Sequence, residues 1–100
     1  MSIRSYTRQD CPVAHTLSVV GDQWTLLIIR DVLSGPKRFD ELQRELGISR
    51  NLLAKRLKRM VEGDLLARRS IPNSRRFVYC LTPKALELRP TILALAEWGQ

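Results

Sequence analysis

Two apolar stripes that meet at a single glycine constrain this 100-residue chain more than any other feature. Leu42 and Leu46 lie four residues apart, Gly47 follows, and Leu53, Leu57 and Met60 recur beyond it. Residues three and four apart share one face of a helix. Glycine readily takes the left-handed conformation that ends a helix, and serine caps the start of the next. The segment therefore reads as a short helix from Glu41 to Leu46 capped by Asp40, a turn plugged by Ile48, and a helix from Arg50 to about Glu62 capped by Ser49. Helix, glycine-containing turn, helix is the helix-turn-helix pattern.

The flanking segments extend this motif into one domain, which is all that the length allows. Residues 1–10 lack periodicity and read as an N-terminal arm, so the domain runs over residues 11–100. Pro12 suits a first helical turn, with Asp10 or Cys11 as cap, and Val13, Leu17 and Val20 form a stripe that Gly21 ends. Asp22 can cap a second helix from Trp24 to about Leu33. Its centre, Leu26 to Ile29, is apolar on more than one face, which predicts a buried helix. Ser34-Gly35-Pro36 breaks it, and Lys37-Arg38-Phe39 is an extended link.

After the helix-turn-helix, residues 65–71 and 76–81 read as two strands around the turn Pro72-Asn73-Ser74. Thr82-Pro83 opens a last helix that Pro90 should kink or split near Arg89. The expected fold is mainly α with a small β-hairpin wing, a winged helix-turn-helix domain. Ile92, Leu93, Leu95, Ala96 and Trp98 cover too wide an arc for one small core, so part of that helix should meet a partner chain.

Charge supplies the first functional clue. The net charge is +7, yet residues 1–48 balance six basic groups against six acidic ones. Residues 49–84 carry ten basic groups and only two acids, Glu62 and Asp64, so the excess sits in one window. Concentrated positive charge on an otherwise neutral domain suggests a polyanion, nucleic acid before an anionic membrane surface.

The wheel of the fourth helix says which residues would touch it. At ~100° per residue, Leu53, Leu57 and Met60 cluster within about 60° and must face the core. Asn51, Lys55, Lys58 and Arg59 then point away, with Glu62 at the far end. The N-terminal half of such a helix enters the major groove, which makes Ser49, Arg50, Asn51 and Lys55 candidates for base edges. Lys58 and Arg59 suit phosphates, which position a protein without reading sequence. Arg56 lies on the flank without an evident partner. Charged residues on a helix face are ordinarily a solvated surface. A face nearly all of one sign, however, forgoes i,i+4 pairing and incurs self-repulsion. At the hairpin tip, Asn73, Ser74, Arg75 and Arg76 could reach a minor groove or the backbone. Arg68 and Arg69 are adjacent and should point to opposite faces.

These segments resemble the HxlR family of bacterial winged-helix transcriptional regulators, which are MarR-like. The resemblance rests on Cys11-Pro12-Val13, Gly21 to Ile28, Arg38 to Leu42, Gly47-Ile48-Ser49, Leu53 to Leu57, Tyr79 to Thr82 and Leu95 to Gly99, in the family's order over residues 11–99. It implies a homodimer joined through the first and last helices, with a winged helix at each end. Many members respond to oxidants, quinones or aldehydes, and in several the sensor matches Cys11. Family members often run somewhat past Trp98-Gly99. Ala85 stands where the family usually has glycine, and Val78 where an acid often precedes the strand tyrosine.

On its own residues Cys11 reads as a half-buried cap. The resemblance adds a redox switch. A helix N-terminus favours a thiolate, with Arg8 assisting and Asp10 opposing. Cys80 reads as an apolar filler and His15 as a structural or interface side chain, with Trp24 and Trp98 as core or interface anchors. One histidine and two cysteines do not make a metal site of the usual kind, and the five glycines are scattered singly, so no phosphate loop appears. No catalytic set and no cofactor motif is evident, which argues against an enzyme. No apolar run reaches the ~18 residues of a membrane span, and the N-terminus lacks a signal core, which points to the cytoplasm.

The leading expectation is a sequence-specific double-stranded DNA-binding homodimer that regulates transcription at a pseudo-palindromic operator, its half-sites about one helical turn apart. The alternatives are a winged-helix protein-interaction module, and a regulator controlled by a small molecule rather than by thiol chemistry. RNA binding is disfavoured for lack of an exposed aromatic platform.

Overall fold

The computed structural model describes residues 11–100; the arm over 1–10, the Asp10 cap and the influence of Arg8 and Asp10 on Cys11 lie outside the described residues. Six helices and one hairpin follow in the order α1 (Pro12–Val20), α2 (Thr25–Leu33), α3 (Phe39–Leu46), α4 (Arg50–Glu62), β1 (Leu66–Ser70), β2 (Phe77–Leu81), α5 (Pro83–Leu86) and α6 (Arg89–Trp98). This is the expected winged helix-turn-helix arrangement.

Local chemistry accounts for the boundaries. Cys11 caps α1, its Sγ accepting the Ala14 amide at 3.5 Å. Asp22 caps α2, its Oδ1 accepting the Trp24 and Thr25 amides at 2.9 and 3.0 Å. Ser49 caps α4 through the Leu52 amide at 3.3 Å, and Thr82 caps α5 through the Ala85 amide at 3.1 Å. Each cap satisfies one of the amides that a helix start leaves without a partner. The last helical segment divides at Glu87–Leu88, and Pro90 falls in the first turn of α6, where its missing N–H costs nothing.

One boundary differs from expectation. Asp40 does not cap α3; the helix begins one residue before it, at Phe39, with Arg38 in the cap position. The Glu41 carboxylate reaches back to accept the Arg38 amide at 2.9 Å, so the capping group sits inside the helix. That amide, helped by the Arg38 guanidinium and by Lys37, holds the Glu41 carboxyl below its ordinary value.

α2 is the central element. Ile28 and Ile29 are fully buried, with Thr25 and Val32 beside them, and the helix packs on α3, α6 and β2. Leu42, Ile48, Leu53, Leu57, Met60 and Leu66 close the core around it. The hairpin is antiparallel, pairing Leu66 with Leu81 and Ser70 with Phe77. The link before α3 adds a short third rung, since Lys37 and Tyr79 exchange both backbone hydrogen bonds, at 3.1 and 2.7 Å. The wing is thereby fastened to the start of the helix-turn-helix. Ala85, at the position where the resemblance expects glycine, is fully buried, so its methyl fills core space beneath α5.

The turn between α3 and α4 depends on Gly47, whose φ of 65° is left-handed and whose amide bonds the Gln43 carbonyl at 2.9 Å. Nothing lies within 4 Å of where a Cβ would stand, so a side chain there meets only backbone strain. Gly47→Ala is therefore expected to lower stability by about 1–2 kcal/mol and Gly47→Asn by less, measured by urea unfolding.

Candidate nucleic-acid interface

The rotation of α4 about its axis is fixed by Leu53, Leu57 and Met60, each at most 3% exposed against the core. On the opposite side Asn51, Lys55, Lys58 and Arg59 are all exposed, and so are Ser49 and Arg50 at the start of the helix. The face that the wheel assigned to solvent is therefore the one turned outward. Lys55, Lys58 and Arg59 make no ion pair with any other described residue. Their positive charge is left uncompensated.

Arg50 is engaged within the fold in a way that the wheel did not reveal. Its guanidinium lies over the Phe39 ring, 4.9 Å from the centroid, and 4.0 Å from the Asp40 carboxylate. Both side chains of that ion pair remain more than two-thirds exposed, so Arg50 is oriented by α3 and still open to solvent.

At the wing tip Asn73, Ser74, Arg75 and Arg76 are exposed as expected. Asn73 takes a positive φ of 60°, a conformation its short amide tolerates better than most residues. The Ser74 Oγ accepts the Arg76 amide at 3.0 Å and stiffens the tip. Arg68 and Arg69 do point to opposite faces, opposite Tyr79 and Val78 respectively. Arg68 lies over the Phe77 ring at 5.3 Å, so its own hairpin occupies it. Burial pushes the Tyr79 hydroxyl up, and Arg68 opposes this only partly.

Two participants escaped the sequence reading. Arg38 joins Arg75 and Arg76 around a cleft of about 290 Å³ between the start of α3 and the wing. Its position just ahead of a predicted helix was the available signal, but the pairing of Lys37 with Tyr79 that brings it beside the wing is non-local. The second is Arg56. Its Nε stands 3.4 Å from Asp22 Oδ1, so the flank of α4 is tied to the cap of α2. Burial works to raise the Asp22 carboxyl; the Thr25 hydroxyl, the Trp24 and Thr25 amides and the Arg56 guanidinium outweigh it, and the group lies below its ordinary value.

The remaining candidates stand apart from this face. Cys11 is half-buried at the start of α1 and Cys80 half-buried in β2, both as free thiols. His15 is exposed on α1. Among the described residues no three His, Cys, Asp or Glu side chains converge as metal ligands, and no helix is long and apolar enough to cross a membrane.

The HxlR-like helix-turn-helix model matches residues 19–100. The chain belongs to that family. An HTH-type transcriptional regulator of Mycobacterium tuberculosis is 41% identical over 90 residues, covering 87% of this chain and 56% of that protein. The chain thus spans little more than half the length of this relative. The crystal structure of PA1607 superposes with a TM-score of 0.85 at 39% identity, covering 95% of this chain and 67% of that one. The redox regulator HypR in its reduced form superposes at 0.81 with 30% identity, covering 89% and 90%. These relatives are described as a transcriptional regulator, a transcription factor and a redox regulator.

The Asp22 network generates a prediction. Asp22→Ala removes the α2 cap and leaves Arg56 unpaired, and should cost about 1–2 kcal/mol at pH 7 by urea unfolding. Since the folded carboxyl lies below its unfolded value, its pH-linked stabilisation is complete above the ordinary carboxylate range and disappears as pH falls through the folded value. The gap between the parent and Asp22→Asn should accordingly narrow on acidification.

Proposed function

We propose that the chain is a sequence-specific, double-stranded DNA-binding homodimer that regulates transcription in the cytoplasm. The observation that carries this reading is the outward face of α4, where Asn51, Lys55, Lys58 and Arg59 are exposed and the cations have no acidic partner among the described residues. Ser49, Arg50, Asn51 and Lys55 stand in the half of the helix that enters a major groove. Asn and Arg pair bidentately with adenine and guanine edges there. Lys58 and Arg59 follow at the height of the phosphates. The wing tip, Asn73 to Arg76, carries a second cationic contact to a flanking groove or backbone.

Dimerisation is supported by apolar surface that the protomer leaves in water. Val13 and Leu17 on α1 are 67% and 56% exposed, and Leu93, Leu95 and Trp98 on α6 are 63%, 51% and 89% exposed. An apolar cleft of about 350 Å³ between these helices is lined by Val13, Leu17, Leu26 and Leu95. A second copy placed on this face makes a two-fold dimer whose recognition helices address a pseudo-palindrome.

Binding-site selection from random DNA is expected to return such a palindrome, and the selected site should bind with steeply falling affinity as salt rises. Lys58→Ala should weaken all sequences alike and lower the salt slope by about one, while Asn51→Ala should relax preference at one base position by about 1–3 kcal/mol. A flat salt slope overturns the reading.

Control of this activity by thiol chemistry is supported by the redox regulation stated for HypR and by the place of Cys11 at the entrance to the exposed α1–α6 face. Loss of two electrons and two protons to an oxidant joins Cys11 to a second subunit or a small thiol and alters the packing of α1. Oxidant should then change DNA affinity of the parent and leave Cys11→Ser unaffected, with the disulfide seen on non-reducing electrophoresis. Equal responses of the two proteins exclude Cys11 as the switch.

A further inference from the structure

At the junction of α3 and α4 two side chains bracket one guanidinium. The Arg50 group lies over the Phe39 ring, 4.9 Å from its centroid, and its Nη1 stands 4.0 Å from Asp40 Oδ1. A ring restrains a planar cation at its face, and a carboxylate restrains it at one edge. The carboxylate takes only the Nη1 side. The fork formed by Nε and Nη2 has no acceptor among the described residues, and the side chain remains 71% exposed.

Asp40 is the informative member. The other two carboxylates of α3 serve the fold, Glu41 by accepting the Arg38 amide and Glu45 by pairing with Lys37. Asp40 caps no helix. It lines the cleft that holds Arg38, Arg75 and Arg76, yet its one ion pair among the described residues is with Arg50. An exposed pair of this kind contributes little to stability. A carboxylate beside a DNA-facing helix also repels phosphates. What Asp40 supplies is the orientation of Arg50.

We propose that Phe39 and Asp40 are positioning residues that make Arg50 a reader of guanine. The open fork presents two parallel donors, which match the O6 and N7 acceptors of guanine in the major groove. With Nη1 held by Asp40 and the plane held by Phe39, the fork is set before DNA arrives, and other approaches of Arg50 to a base or a phosphate are disfavoured. The choice of base rests on the DNA-binding reading; the bracketing of Arg50 does not.

Fluorescence anisotropy on the DNA that the parent selects tests the base. At the guanine whose preference Arg50→Ala abolishes, replacement by adenine or by deazaguanine, which lacks N7, should weaken parental binding by roughly 5- to 150-fold. Asp40→Asn and Phe39→Leu should each lower this preference by about threefold or more, and Asp40→Glu, which keeps the charge, should retain more of it. Asp40→Asn should leave the urea midpoint unchanged and bind unrelated DNA at least as tightly as the parent, because a charge that repels phosphates is gone. Uniform weakening of all sequences by Arg50→Ala overturns the proposal, as does parental guanine preference in both Asp40→Asn and Phe39→Leu. NMR of the DNA-free protein tests the bracketing. The Arg50 Hδ protons should lie upfield under the Phe39 ring current, with the shift lost in Phe39→Leu and reduced in Asp40→Asn. An unshifted Arg50 in the parent overturns the arrangement whether or not DNA binds. A shifted Arg50 in a chain that binds no DNA instead overturns the DNA reading and the choice of guanine with it.

Discussion

The cationic face of α4 is aimed by three apolar side chains. Leu53, Leu57 and Met60 must leave water, and once they join the core that holds Ile28 and Ile29 the helix that carries them cannot rotate. Burial of a large aliphatic side chain is worth roughly 1.5–3 kcal/mol, so turning α4 by a quarter revolution would forfeit several such contributions. The outward presentation of Asn51, Lys55 and Lys58 is thus a consequence of core packing. No interaction of the cations themselves is needed to hold it, and they remain available to a partner.

Local rules explain why so much of this was legible. Caps at Ser49, Asp22 and Thr82, the left-handed Gly47, the break at Ser34-Gly35-Pro36 and the proline that divides the last helix all act within four residues. Each was readable from spacing alone. The face of α4 was equally readable because helical periodicity separates its apolar and charged positions cleanly. What stayed hidden depends on contacts between distant parts of the chain. Arg56 finds Asp22 only because α4 crosses the start of α2, and Arg50 finds Phe39 only because the Gly47 turn folds α4 back on α3. The α3 boundary slipped for a subtler reason. Asp40 and Glu41 are both competent capping groups, and the choice between them was decided when Lys37 paired with Tyr79 and fixed the approach of the chain.

That same pairing fastens the wing to the start of the helix-turn-helix. A two-stranded hairpin is marginal alone in water. Here Tyr79 is anchored in the core and bonded to Lys37, so the tip extends from a fixed base. Arginines engaged by aromatic rings lie on both sides of the junction, Arg50 on Phe39 and Arg68 on Phe77. Ordering Arg50 before any ligand arrives reduces the conformational entropy that the proposed binding must still remove. Arg75 and Arg76 have no such restraint among the described residues; in the proposed complex they suit the sequence-independent backbone, where geometry is less demanding.

The terminal helices pose the opposite energetic problem. α1 buries only Val20 and α6 buries no residue completely, while Trp98 is almost wholly in water. A helix of ten residues gains little from its own hydrogen bonds and takes its stability from an apolar face that is covered. Among the described residues that cover is only partial, so α1 and α6 have the least to lose by moving and the most to gain from a second copy. Covering that face would therefore stabilise the two helices and pair the recognition helices in a single event. A change at Cys11, the first capping group of α1, would act on the element whose packing is least determined by the rest of the fold.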